Sequence, residues 1–196
     1  MGDLAGVVLA GGRGNRLGGV EKARLVVGGR TLLDRALDAC AAASEVVVVG
    51  PVVPTERAVA FVREEPAYGG PAAGLLAGVA ALGATVRRVV VLAVDMPHVT
   101  AATVTRLGAA HDGAEAADGA VLLGADGRRQ LAMVLDVAAL QAVAPPPDDR
   151  AGLPVHVLVS GLRLVEVPAL EREGEDVDTW DDAHAAGVPV LRPPAP

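Results

Sequence analysis

A chain of 196 residues that is 52% hydrophobic is long enough to bury a sizeable core in one domain. Its formal net charge of −7 argues against a general nucleic-acid binder or a basic membrane-surface protein, and its single cysteine, Cys40, excludes a disulfide scaffold or a cysteine-based zinc site. No apolar run reaches the ~18 residues of a membrane span and no basic segment leads an apolar one at the N-terminus, so a soluble, cytoplasmic protein is expected.

In chain order, Leu4 to Ala10 reads as a buried strand, and the spacing of Leu32, Leu33, Ala36, Leu37 and Cys40 predicts a helix over Thr31 to Ala43. Glu45 to Val49 is a second strand. Pro71 at a first-turn position opens a helix to Leu82. Arg88 to Val94 is a third strand, and Thr100 caps a helix from Ala101 to His111. Ala120–Leu123 and Leu131–Leu135 read as strands joined by a turn at Gly124-Ala125-Asp126-Gly127. A short helix over Val137 to Val143, a loop at Pro145 to Asp149, a strand over Leu162 to Val167 and a helix over Thr179 to Ala186 complete the pattern. Strand–helix alternation with continuous apolar strands gives an α/β domain whose sheet is mostly parallel and covered on both faces. The expected domain is 1–191, followed by a frayed Pro-rich tail, 192–196.

The segment from Leu9 to Lys22 directly follows the first strand, where open α/β sheets gather their ligands. Its glycines let backbone N–H groups turn inward as an anion-binding nest, and Arg13, Arg16 and Lys22 add positive charge to an otherwise acidic chain. The alternative is a plain turn with solvated arginines. Two familiar loops fail on spacing. A Walker A loop needs Ser or Thr after its Gly-Lys, whereas Lys22 stands between Glu21 and Ala23. A dinucleotide loop needs a third glycine where Leu17 stands, and the second strand ends in Gly50-Pro51 and not in an acidic residue. Lys22 is also the only lysine among 17 basic residues.

Leu9-Ala10-Gly11-Gly12-x-Gly14-x-Arg16-Leu17-Gly18-x-x-x-Lys22-x-x-Leu25 resembles the signature loop of the MobA-like nucleotidyltransferases. Three further landmarks occur in the right order: Gly70-Pro71-Ala72-Ala73-Gly74-Leu75, Val94-Asp95-Met96-Pro97 and Asp176-Val177-Asp178-Thr179. Within that family the pattern is most similar to the molybdenum cofactor guanylyltransferases. The resemblance implies a single three-layer α/β/α domain of Rossmann-like nucleotidyltransferase fold, and transfer of GMP from GTP to the terminal phosphate of molybdopterin (or its molybdenum form) with Mg²⁺ and release of pyrophosphate. It also implies a molybdoenzyme or cofactor-chaperone partner for the product, and no nucleic-acid or membrane partner.

A phosphate monoester, with a second pKa near ~6, is already mostly ionised at neutral pH, so such a reaction needs cations and backbone donors more than a general base. Asp95, emerging after the third strand, is the implied metal ligand. Its alternative is a helix cap, which Thr100 makes redundant. Lys22, Asp95 and Arg16 form the implied catalytic set. Leu9, Ala10, Gly11, Gly12, Lys22, Glu65 and Asp95 are the implied GTP contacts, with Arg13, Gly14 and Gly70 as weaker candidates. The guanine-facing carboxylate falls at Glu65 or its neighbour Glu64, where the family more often has Asp; both are otherwise ordinary surface charges. The helix start at Gly70-Pro71-Ala72-Ala73-Gly74 would offer backbone N–H groups to the nucleotide, in the form seen in GTP-using relatives. Asp176 and Asp178 stand where the family usually has Asn-x-Asn/Asp, and Trp180 replaces its Pro. The pair either joins the Mg²⁺ shell or caps the last helix. Arg129-Gln130-Leu131 resembles the pterin-side segment without its Pro. The four histidines show no ligand spacing, with His98 alone close to the Asp95 loop, and Cys40 reads as core. Two other readings stay open: a relative using another NTP or phosphorylated acceptor, and a non-catalytic nucleotide or pterin carrier.

Overall fold

The four valines Val46–Val49 are buried at every position, which requires a strand covered on both faces. The computed structural model, which describes residues 3–11, 17, 20–64 and 69–188, supplies that cover with helices on either side of a central sheet. The elements are β1 (Leu4–Leu9), β2 (Val26–Val27), β3 (Arg30–Thr31), α1 (Leu32–Ala39), β4 (Val46–Val49), β5 (Ala60–Val62), α2 (Pro71–Ala80), β6 (Arg88–Ala93), α3 (Ala101–Asp112), β7 (Gly119–Leu123), β8 (Arg129–Asp136), α4 (Val137–Ala142), α5 (Val155–Leu158), β9 (Leu164–Pro168) and α6 (Trp180–Ala185). Among these described residues no helix is long and apolar enough to cross a membrane.

Seven strands form one sheet in the order β5-β4-β1-β6-β8-β7-β9. The pairs β5/β4, β4/β1, β1/β6 and β7/β9 are parallel, and β8 is antiparallel to both its neighbours. Side chains alternate across the sheet, so Val8, Val48, Val90 and Leu122 share one core with residues of α1, α3 and α6. Val7, Val49, Val91 and Met133 share the other with α2, α4 and α5. The three-layer expectation is met. Cys40 is buried and its thiol is pushed up to about 12, chiefly by burial, so it is an inert core residue.

The caps follow the residue types. Thr31 accepts from the Asp34 N–H at the start of α1, and Thr100 and Thr103 form a reciprocal capping box at α3. Helix α2 begins at Pro71 with Gly70 before it at φ +96, and Gly152 lies so close that a Cβ at Gly70 would sit 3.1 Å from its Cα. Helix α1 stops at Ala39, four residues before its expected end. The Arg57 guanidinium donates to the carbonyls of Leu37, Cys40 and Ala43 and holds the chain in a turn there. Several elements among the described residues had not been anticipated. The β2–β3 hairpin turns at Gly28 and Gly29, both at positive φ, and β5 is a three-residue edge strand beside β4. The others are 3₁₀ turns at Lys22–Arg24 and Val159–Gly161 and helix α5. The expected Gly124–Gly127 turn joins β7 to β8, and Pro147–Asp149 within the expected loop is a 3₁₀ turn.

The chain runs outward from β1 through β4 to β5, then returns to place β6 on the opposite side of β1. The reversal opens a crevice beyond the carboxyl ends of β1 and β6, the position where open α/β sheets bind ligands. Ala10–Gly11 and Asp95 lie at its two sides.

Candidate functional site

Three distant parts of the chain meet at this crevice. The backbone leaving β1 is set first. The Ala10 N–H donates to the Val49 carbonyl at 2.9 Å, and a Cβ at Gly50 would fall 2.9 Å from the Ala10 carbonyl carbon. Only glycine at position 50 lets the end of β4 lie so close to the start of the loop. Leu9 and Ala10 are buried and Gly11 is exposed.

Beyond the loop, buried Leu17 and Ala23 anchor the chain, and Lys22 begins the 3₁₀ turn. The Lys22 Nζ donates to Asp95 Oδ2 at 2.8 Å and to Asp178 Oδ1 at 2.5 Å. The ammonium and Asp95 are each about one-fifth exposed, so the pair is largely out of solvent. Burial works against the lysine charge, but Asp95 and Asp178 outweigh it and hold the pKa above its ordinary 10.5.

Asp95 follows β6 directly, and the Val94 N–H donates to the Leu9 carbonyl, continuing the β1–β6 alignment to the edge of the site. The Asp95 carbonyl accepts from the Val177 N–H at 2.9 Å, and Val177 is buried. This bond draws the segment before α6 onto the end of β6. On the other flank, Arg35 of α1 donates to the Pro97 carbonyl at 3.0 Å and steadies the turn after Asp95.

Asp178 had two readings, metal shell or helix cap. The cap belongs to Thr179, whose side chain accepts from the Asp182 N–H while Asp182 accepts in return. Asp178 therefore reaches Lys22 from just ahead of α6, a pairing the sequence reading had missed. Asp176 is held above the ordinary carboxylate range, first by burial and then by repulsion from Asp178 and Asp95. The acidic run also contains a structural clamp. Glu173 accepts from both arms of Arg106 and from the Thr103 hydroxyl, tying the segment to α3.

The remaining candidates are less closely gathered. Gly70 caps α2. The Ala72 N–H donates to the Leu153 carbonyl at 3.2 Å, so this first-turn N–H of α2 is spent inside the fold and not offered to a ligand as the helix start had suggested. Glu64 is half-buried beside α2, with Oε2 3.9 Å from where a Cβ on Gly74 would lie. Arg13, Arg16, Gly12, Gly14 and Glu65 lie outside the described residues. His98 has its Nε2 buried without a hydrogen-bond partner among the described residues, 3.9 Å from Glu175, and its pKa is lowered chiefly by burial. Among the described residues no group of three or more His, Cys, Asp or Glu side chains is arranged to hold a metal unaided.

A lysine and a carboxylate thus face each other across a strand-order reversal in an α/β domain, next to Ala10 and Gly11. The chain belongs to the MobA-like NTP transferase domain family, whose model matches residues 6–175. It is 40% identical over 142 residues to a probable molybdenum cofactor guanylyltransferase of Opitutus terrae, covering 70% of this chain and 68% of that protein. It is 38% identical over 113 residues to the molybdenum cofactor guanylyltransferase of Acidiphilium cryptum, covering 55% of this chain but only 58% of the relative's length. The fold matches the crystal structure of molybdopterin-guanine dinucleotide biosynthesis protein A from Archaeoglobus fulgidus with a TM-score of 0.69, at 19% identity and over 93% of this chain and 96% of that one.

Proposed function

We propose that the chain transfers GMP from GTP to the terminal phosphate of molybdopterin and releases pyrophosphate. The observation that carries this reading is the Lys22–Asp95 pair at the carboxyl edge of β1 and β6, against the loop that begins at Ala10–Gly11. The relatives' names point to the same substrates.

In this reaction an oxygen of the pterin phosphate bonds to the α-phosphorus of GTP. The bond from that phosphorus to the oxygen bridging the β-phosphate breaks, and pyrophosphate leaves with the electron pair. No proton must be removed from a dianionic nucleophile, so the protein's work is to hold two anions together and stabilise the migrating charge. Gly11, Gly12 and Gly14 cradle the triphosphate with backbone donors, while Leu9 and Ala10, whose own N–H is taken by the Val49 carbonyl, line it. Lys22 and Arg16 follow the charge from the α- to the β-phosphate, with Arg13 and Gly70 at the margin. Glu65, or Glu64 beside it, accepts from the guanine edge.

Mg²⁺ fits this donor set, because it takes one or two carboxylates and completes its shell with phosphate oxygens and water. Asp95 would hold it, with Asp178 or Asp176 on the opposite side, and the ion would neutralise charge on the phosphates. Pyrophosphate release measured with each NTP in turn, molybdopterin and Mg²⁺ tests the reading. GTP-selective release supports it; release with CTP in preference, or binding of GTP without release, overturns it.

A further inference from the structure

We propose that Lys22 occupies the cation position of the Asp95 carboxylate in the nucleotide-free protein, so that a divalent metal binds there only when a triphosphate draws the lysine away. This rests on the assignment of Asp95 as metal ligand and adds an order to the binding.

The oxygens a hard cation would need are already taken. Asp95 Oδ2 has the Lys22 ammonium at 2.8 Å, and Asp178 Oδ1 has the same ammonium at 2.5 Å. A magnesium ion would have to approach such oxygens to ~2.0–2.1 Å, against a positive charge placed to satisfy both. The two carboxylates are brought to the lysine by backbone bonds, through the Val94 N–H to Leu9 and the Val177 N–H to Asp95. The lysine backbone is held by the 3₁₀ turn, and its ammonium sits on a four-carbon stem whose torsions can rotate. Of the three groups, the one on the long rotatable stem is the cation.

A triphosphate on the adjacent loop offers that cation a second set of anionic oxygens. Once the ammonium turns to them, Asp95 Oδ2 loses the cation that faces it at 2.8 Å. That is the condition in which a divalent ion is most strongly attracted. By linkage, nucleotide and metal must then raise each other's affinity by the same factor. Metal alone gains little, because it competes with a tethered ammonium.

Mn²⁺ binding to the nucleotide-free protein, followed by electron paramagnetic resonance, tests this directly. Lys22→Met is expected to bind Mn²⁺ about tenfold or more tightly than the wild type, through loss of the competing charge. Equal or weaker binding in Lys22→Met overturns the proposal. Should that variant fold poorly, the wild type suffices, since Lys22 is the only lysine and isotope-labelled lysine yields a single side-chain signal. That signal is expected to stay in place with Mg²⁺ alone and to move when GTP is added with it. Saturable movement with Mg²⁺ alone, or none with both, overturns the proposal. The Asp95→Asn variant separates the two layers. If it abolishes GTP-supported Mn²⁺ binding while Lys22→Met gains nothing, the metal assignment survives and only the exchange fails. If it leaves GTP-supported binding intact, both fail.

Discussion

Lys22 is gripped by two carboxylates, and its substitutions should reflect that geometry. Lys22→Arg keeps the charge but replaces a compact ammonium with a planar fork that cannot meet oxygens at the same two places. Turnover with GTP and molybdopterin is expected to fall on the order of 10²-fold, and steady-state kinetics on the purified variant checks it. Asp95→Asn should lose a similar factor or more while its thermal melt stays near that of the wild type; full turnover at ordinary Mg²⁺ would refute the assignment. The pH dependence follows from the direction of the lysine shift. A pKa raised above 10.5 on folding adds stability that is fully present below 10.5 and is lost as pH rises through the higher folded value. Melts of wild type and Lys22→Met should therefore keep a constant separation from pH 7 to 9 and converge only in strong alkali.

Between elements, two contacts set how rigidly the site is framed. Helix α2 lies against β1 and β4 at Gly78, where an added Cβ would come 2.7 Å from a Val7 methyl and 2.8 Å from a Val49 methyl. Both neighbours are β-branched and stiff, so Gly78→Ala is expected to cost about 1–2 kcal/mol despite its better helix propensity, as read from denaturant unfolding. The second contact is the one that Glu173, in the segment after β9, makes with α3. Burial pushes its carboxyl up, but Arg106, Thr103 and the Leu170 N–H bring it down to about 2. A depressed value means stability present above the ordinary 4.5 and lost as pH falls through about 2, so the clamp should survive mild acid. Glu173→Gln is expected to cost about 2 kcal/mol and to remove that acid sensitivity.

The elements that could be read from the chain were those with a strong local signal. The strands Val46–Val49 and Arg88–Ala93 are continuous apolar runs, and Thr100 announces α3. Asp95 was legible because a carboxylate immediately after a buried parallel strand has one place to go. Ala60–Val62 was not read as a strand, although it closes the apolar run Ala58–Val62 between Arg57 and Arg63, of which only the last three residues pair with β4. Nor was Asp178 as the partner of Lys22. Its neighbours form an acidic run with no periodicity; the Thr179–Asp182 box is local, but the Val177 bond to Asp95 that draws the segment to the site is a tertiary outcome. The early end of α1 has the same origin, because Arg57 acts from seventeen residues beyond Cys40.

For the molecule as a whole, the reversal of strand order between β1 and β6 matters more than any single side chain, because it brings the first loop and the end of a strand some eighty residues later to one crevice. The antiparallel β8 then extends the sheet without adding a carboxyl end beside β6. The family match ends at residue 175, yet Val177, Ala183 and Val188 beyond it are buried in the core shared with α1 and α3. Removing everything after Glu175 is expected to lower unfolding stability by about 3 kcal/mol or more, measured by denaturant titration, from the lost burial alone.

The bond from Asp178 to Lys22 joins positions 156 apart in sequence. A chain emerging from the ribosome can pair β1, β4 and β6 well before Asp178 is synthesised, since early segments fold first. The sheet can therefore exist while the lysine still lacks its second partner. Completion of the site follows formation of the sheet, and a product terminated before Asp178 would present Lys22 to Asp95 with the second carboxylate missing.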